Sequence, residues 1–145
     1  MSILYLHSHF INQFNNVIGT INGVYNQYVI CCEIPEGLEY GSNVIKIGTF
    51  NDTNPLENAM NASKALSKLR NEGVYPKIIF IHIGDGLGLL ASDIFPNSTI
   101  IGYTEWFFKE HTTSNLLRNA LMRKELDKCS VCISPTKNQK KQFPQ

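Results

Sequence analysis

Apolar residues fall along this chain in two alternating rhythms. Short unbroken runs predict strands covered on both faces at Ile3–His7, Tyr28–Cys32, Val44–Ile47, Ile78–Ile83, Thr99–Tyr103 and Val131–Ser134. Between them, apolar residues return every three or four positions. Phe10, Phe14, Val17, Ile18 and Ile21 predict a first helix, which Gly23 stops. Leu56, Ala59, Met60, Ala62, Leu66 and Leu69 form the clearest stripe, expected to face the sheet, with Lys64, Lys68 and Arg70 mostly off it. Thr53 or Asn54 can cap that helix, Pro55 suits its first turn and Gly73 its end. Leu87–Phe95 reads as a short helix. Leu116, Leu117, Ala120, Leu121 and Lys124 mark another, reaching about Lys128, and Thr136 opens a polar final helix cut off at Gln145. Pro35, Gly37 and Gly41 mark a loop.

Strand and helix alternate, which predicts an α/β fold: a Rossmann-like three-layer sandwich whose parallel sheet of about six strands carries helices on both faces. A length of 145 residues suits one domain, 1–145, with its own core. The ending Phe143-Pro144-Gln145 reads as a truncation or a domain junction.

Composition narrows the class. Hydrophobic residues make up 43% and charged residues 17%, as in a soluble globular domain. A net charge of +1 offers no electrostatic case for a nucleic-acid partner. No apolar run is long enough to span a bilayer, and Ile3–Leu6 is too short for a secretory signal, so a cytoplasmic setting is expected. The four cysteines are Cys31, Cys32, Cys129 and Cys132. Adjacent Cys31 and Cys32 point to opposite faces of a strand, the wrong geometry for a second ligand pair. Cys129-Ser-Val-Cys132 has the spacing of half a zinc site or of a redox motif, but it enters a strand instead of opening a helix. Reduced, partly buried structural thiols are expected. Four scattered histidines make no metal cluster, and no cofactor is expected.

The chemistry concentrates in Ile78–Glu105. A buried strand ends in His82, enters Gly84-Asp85-Gly86-Leu87-Gly88 and crosses over to a strand ending in Tyr103 and Glu105. Ligands of open parallel sheets sit at the carboxyl ends of strands, so these side chains should crowd one rim. His82 can exchange a proton near neutral pH, or be fixed against backbone at a strand end. The glycines either admit a ligand to backbone N–H groups or only tighten a turn, and Asp85 reads as a helix cap. Glu105 can accept protons from sugar hydroxyls with Tyr103 beside it, or pair with Lys109. Trp106-Phe107-Phe108 is either a stacking platform or packing for another domain. His7 reads as a strand-end core histidine and His9 as exposed, each with a possible contact to substrate.

These residues resemble the N-terminal, acceptor-side domain of a family 4 glycosyltransferase, an enzyme with two Rossmann-like domains (the GT-B type). The likeness is carried by I-L-Y-L-H-S-H-F-I-N-Q-F with His7, Phe10, Gln13 and Phe14, by I-I-F-I-H-I-G-D-G, by D-I-F-P and I-I-G-Y-T-E-W-F-F, by Arg118-Asn119-Ala120 and by S-P-T-K-N-Q-K-K-Q-F-P. Where relatives carry a glutamate after the histidine loop, this chain has Leu87, and Glu36–Thr53 shows no likeness. The resemblance implies a retaining transferase that moves a sugar from a nucleotide-sugar donor to a glycan, lipid or small-molecule acceptor. His82 and Glu105 would be catalytic; His7, His9, Gly84, Asp85, Gly86, Tyr103 and Trp106 would touch substrate. The donor-binding C-terminal domain is absent from the chain, which alone would be inactive; self-association through the aromatic loop is a further expectation. The alternative is a stand-alone dinucleotide-binding or flavodoxin-like interaction module. Glu105 falls near the ribose-acid spacing of such domains, but Leu89 replaces the third glycine and the first loop, H-S-H-F, has none.

Overall fold

A computed structural model describes residues 1–10, 13–37, 43–109 and 112–144. Gly41 and Gln145, named above as a loop marker and a helix end, lie outside the described residues. In chain order the elements are β1 (Ser2–His9), α1 (Asn15–Thr20), β2 (Asn26–Glu33), β3 (Val44–Lys46), α2 (Pro55–Asn71), β4 (Ile78–His82), α3 (Ala91–Ile94), β5 (Thr99–Tyr103), α4 (Thr113–Leu126), β6 (Val131–Ile133) and α5 (Lys137–Lys140). The six strands form one sheet in the order β3-β2-β1-β4-β5-β6, and every neighbouring pair is parallel.

This order opens a crevice. From β1 the chain winds outward through β2 and β3, then crosses back to place β4 on the other side of β1. The connections leaving β1 and β4 therefore diverge at their carboxyl ends, the topological switch point where open α/β sheets hold ligands.

Alternation along the strands builds a core on each face of the sheet. Leu4, Leu6, Ile30, Cys32, Ile79 and Ile81 pack with Leu66 and Leu69 of α2 and Met122 of α4. Ile3, Tyr5, Val29 and Cys31 face the other way, onto Phe14. Cys31 and Cys32 thus point oppositely, as the strand period requires.

The helices depart from their apolar stripes. In α2 the inward face is Pro55, Asn58, Ala59, Ala62, Ala65, Leu66 and Leu69, while Leu56 and Met60 are 48% and 61% exposed. Alanines let the helix sit close to the sheet. Asn58 takes an inward position because its amide is fully used: Nδ2 donates to the carbonyls of Asn51 and Asp85 at 3.0 Å each, and Oδ1 accepts the Asn51 N–H. Asn54 is the N-cap, its side chain accepting the Glu57 N–H. In α4 the buried residues are Asn119, Met122 and Glu125, whereas Leu116 and Leu117 are exposed. The expected stripe is wrong there because two inward residues are polar. They answer backbone groups of neighbouring loops, so their burial leaves no apolar signal.

The shorter helices are shorter still than the spacing predicts. Phe14 stands before α1 and is buried against the sheet. Residues 87–90 form turns, not helix, since Gly84 and Gly86 hold φ of +109° and +82° and redirect the chain first. Lys141 is the C-cap of α5.

Candidate functional site

The rim is assembled from strand ends. β1 delivers His7, Ser8 and His9, β4 ends at His82, and β5 ends at Tyr103, the register partner of His82. The His82 ring centroid lies 4.5 Å from that of His7 and 6.0 Å from that of Tyr103. His7 and His82 therefore face each other across the switch point.

His82 stands between two carboxylates. Its Nε2 lies 3.2 Å from Glu105 Oε2 and its Nδ1 3.2 Å from Asp85 Oδ2. The Glu105 contact has hydrogen-bond geometry, while the Asp85 contact lies off the N–H line and is chiefly Coulombic. Asp85 Oδ2 also accepts the Ser8 N–H at 3.0 Å. Asp85 is thus no helix cap: α3 begins six residues later with Leu90 at its N-cap and no side-chain cap. Glu105 pairs with His82, not with Lys109.

Burial alone lowers the His82 pKa, but Asp85 and then Glu105 outweigh it and raise the value above 6.5. Burial raises the Asp85 pKa; contact with the His82 imidazolium, the Ser8 N–H and His7 together outweigh it and hold the carboxyl below its ordinary range. His7 goes the other way. Burial, followed by repulsion from His82, pushes it down to about 4. Two imidazoles this close cannot both hold a charge cheaply, and the carboxylates decide which one does. Burial and the Glu105 charge raise the Tyr103 pKa.

A hydrogen-bond relay joins the pair. The His9 N–H donates to His7 Nδ1 at 3.0 Å, so Nε2 carries the proton of a neutral His7 and donates to Gln13 Oε1. Gln13 Nε2 then donates to Glu105 Oε2 at 3.1 Å, the same oxygen that accepts from His82. The sequence matched Gln13 to the family's first loop but gave it no chemical role. A glutamine beside a buried phenylalanine gives no periodic signal, and the three-dimensional bridge reveals what it does.

The glycine loop is anchored by α4. Gly84 N–H donates to Glu125 Oε2 at 2.9 Å and Gly88 N–H to Oε1 at 3.1 Å. Glu125 is fully buried; desolvation raises its pKa to about 7, although both N–H groups act in the opposite direction. A protein carboxylate thus occupies the place an external anion would take in a phosphate-binding loop. Gly86 lies against α2, where a Cβ would overlap the Pro55 carbonyl.

The remaining expected residues flank the cluster. His9 is half exposed and pairs with Glu33 at 3.0 Å, toward β2. Trp106 is 61% exposed, whereas Phe107 and Phe108 turn inward, with Phe107 against Phe143 and Arg123 and Phe108 under Arg118. Two of the three aromatics pack within this domain and one remains free for contact. Among the described residues, no three His, Cys, Asp or Glu side chains are grouped to hold a metal ion, and no helix is long and apolar enough to cross a membrane.

Residues 49–116 match the glycosyl transferase family 4 group, independent support for the resemblance carried by the histidine loop and the tyrosine–glutamate strand. No curated protein matches the chain. Solved structures share the fold. UDP-GlcNAc 2-epimerase from Methanocaldococcus jannaschii superposes with a TM-score of 0.62 at 11% identity, over 98% of this chain and 41% of that one. TubZ of Clostridium botulinum phage c-st gives 0.56 at 11% identity, over 92% and 51%. CetZ from Methanosaeta thermophila gives 0.57 at 12%, over 91% and 45%. The chain spans about half or less of the length of these structures.

Proposed function

We propose that this chain, with its family 4 glycosyltransferase likeness, is the acceptor-side domain of a retaining enzyme that transfers a sugar from a nucleotide-sugar donor to a glycan, lipid or small-molecule acceptor. The observation that carries the reading is His82 held between Asp85 and Glu105 at the β1–β4 switch point. Glu105 is the more open of the two carboxylates and is the group that receives a hydrogen bond from an acceptor hydroxyl. His82 orients that carboxylate through the Nε2 contact, and carries positive charge toward a departing diphosphate. His7 and Gln13 set the direction of the Glu105 lone pairs from the other side. Tyr103 and Trp106 offer rings to a sugar face, and His9, Gly84, Asp85 and Gly86 border the same rim.

In this reading a second domain holds the donor, and residues 1–145 alone transfer no sugar. Phosphate binding at the histidine loop is disfavoured, since Glu125 already takes the Gly84 and Gly88 N–H groups. That weighs against the dinucleotide alternative. A cytoplasmic setting and self-association through Trp106 belong to the same proposal.

The test is titration of the ¹⁵N-labelled chain, by heteronuclear NMR, with oligosaccharides, with NAD and with UDP- and GDP-sugars. Acceptor-induced shifts at Ser8, Asp85 and Glu105, without tight binding of NAD or nucleotide sugar, support the proposal. Tight NAD binding overturns it.

A further inference from the structure

We propose that Cys129 and Cys132 form a thiol–disulfide exchange site, open to small disulfides from a cavity on the far side of the sheet from His82. The argument begins with register. Cys132 pairs with Gly102 across β5 and β6, and register partners in a parallel sheet lie about 4.8 Å apart with side chains on the same face. Gly102 has no side chain, and Cys129 fills the vacancy: a Cβ on Gly102 would come within 2.8 Å of Cys129 Sγ. The two sulfurs therefore meet over one glycine.

The two thiols are not equivalent. Cys129 is half-buried and donates to the Glu125 carbonyl at 3.3 Å. Cys132 is exposed and lines a cavity of about 790 Å³ together with Arg123, Lys137 and Lys140. Its pKa falls to about 7, first through the adjacent Cys129 thiol, and the same contact raises the pKa of Cys129. Cys132 is thus the attacking thiolate and Cys129 the resolving thiol. The proposal goes beyond the expected reduced structural thiols for this pair, of which Cys132 is exposed; Cys31 and Cys32 are free and buried, with burial raising their pKa to about 11 and about 12.

The reaction balances with a low-molecular-weight disulfide RSSR as the oxidant. The Cys132 thiolate attacks one sulfur, forming Cys132–S–SR and releasing RS⁻, which takes the proton Cys132 has lost. Cys129 then loses its proton and attacks the Cys132 sulfur, expelling the second RS⁻, which takes that proton. The dithiol gives up two electrons and RSSR becomes two RSH. The new bond ties the segment after α4 to β6, and α4 carries the carboxylate that anchors the His82 loop.

Oxidised glutathione added to the intact chain, followed by acid quenching and peptide mass spectrometry, tests the site. The expected product is an internal Cys129–Cys132 disulfide with Cys31 and Cys32 unmodified. Cys129→Ser should stop at a stable glutathione adduct on Cys132, and Cys132→Ser should leave Cys129 free. Iodoacetamide should label Cys132 first, its rate rising with a midpoint near pH 7. A wild-type chain that stops at the glutathione adduct, or one labelled first at Cys129, overturns the proposal.

Discussion

The His82 imidazole lies 3.2 Å from the Glu105 carboxylate although 23 positions separate them in the chain. Adjacent parallel strands make the meeting possible: β4 and β5 run in step, and His82 is level with Tyr103. Two further residues past Tyr103 bring Glu105 back over the imidazole. The charge on His82 therefore follows from strand register together with the loop that returns Asp85.

The first prediction concerns that charge. Because the folded-state pKa of His82 is raised above 6.5, its contribution to stability is fully present below the unfolded value and is lost as pH rises through the folded value. A ¹H–¹³C NMR titration of the ring should give a midpoint above that of an unfolded histidine. Glu105→Gln should lower the midpoint, and Asp85→Asn should lower it as well. A ring that titrates at or below 6.5 in the wild type contradicts the ion-pair assignment.

His7 has the opposite sign. Its folded pKa is depressed from 6.5 to about 4, so its contribution is present above pH 6.5 and is lost as pH falls toward 4. That difference corresponds to roughly 3 kcal/mol at most. Urea denaturation of wild type and His7→Gln at pH 7 and pH 4.5 isolates it. The wild type should lose about 2 kcal/mol more than the variant on acidification. Equal losses would place His7 in a wetter environment than its 2% exposure indicates.

The sheet was legible in the sequence because each strand is a short apolar run fixed by local composition. Parallel pairing then follows from the alternation of strand and helix, whereas the strand order β3-β2-β1-β4-β5-β6 comes from the structure alone. His82, Asp85, Tyr103 and Glu105 were legible as a cluster for the same reason, since strand ends define the rim. The partners that tune them were not. Asn58, Asn119 and Glu125 are polar residues facing inward, each engaging a distant loop's backbone, and helix periodicity read from apolar residues assigned those faces wrongly. Leu56, Met60, Leu116 and Leu117 were misplaced accordingly. A buried carboxylate that answers backbone N–H groups has no signature shorter than its contact distance in space.

Glycine substitutions separate backbone strain from collision. Gly23 and Gly86 have nearly the same positive φ, 79° and 82°. A Cβ at Gly23 meets nothing within 4 Å, while one at Gly86 strikes the Pro55 backbone carbonyl. Gly23→Ala should cost about 1 kcal/mol, the ordinary penalty for left-handed backbone. Gly86→Ala should cost roughly 3 kcal/mol or more, because neither the α2 start nor the loop can yield. Chemical denaturation of the two variants decides the matter; equal penalties would mean the loop is not pressed against α2.

Glu125 gives the most discriminating prediction, since its role is electrostatic and its helix is otherwise weakly anchored. Removing the carboxylate in Glu125→Ala leaves the Gly84 and Gly88 N–H groups buried without acceptors, at about 1–3 kcal/mol each. Glu125→Gln keeps the shape and one acceptor but turns an NH₂ toward the other N–H, so it should cost less than Glu125→Ala. The pH dependence identifies the charge. The Glu125 folded pKa is raised from 4.5 to about 7, so its favourable contribution is complete below 4.5 and is lost as pH rises through 7. Glutamine does not titrate, and the stability gap between wild type and Glu125→Gln should therefore narrow from pH 5 to pH 8. The groups facing Glu125 that also titrate are His82, Asp85 and Cys129, and all three remain in both proteins, so the difference isolates the carboxylate. The same samples report on the site: with the loop loosened, the His82 ring resonance should broaden and its midpoint move toward that of a free imidazole. A gap that stays constant with pH, with His82 unmoved, would reduce Glu125 to ordinary packing.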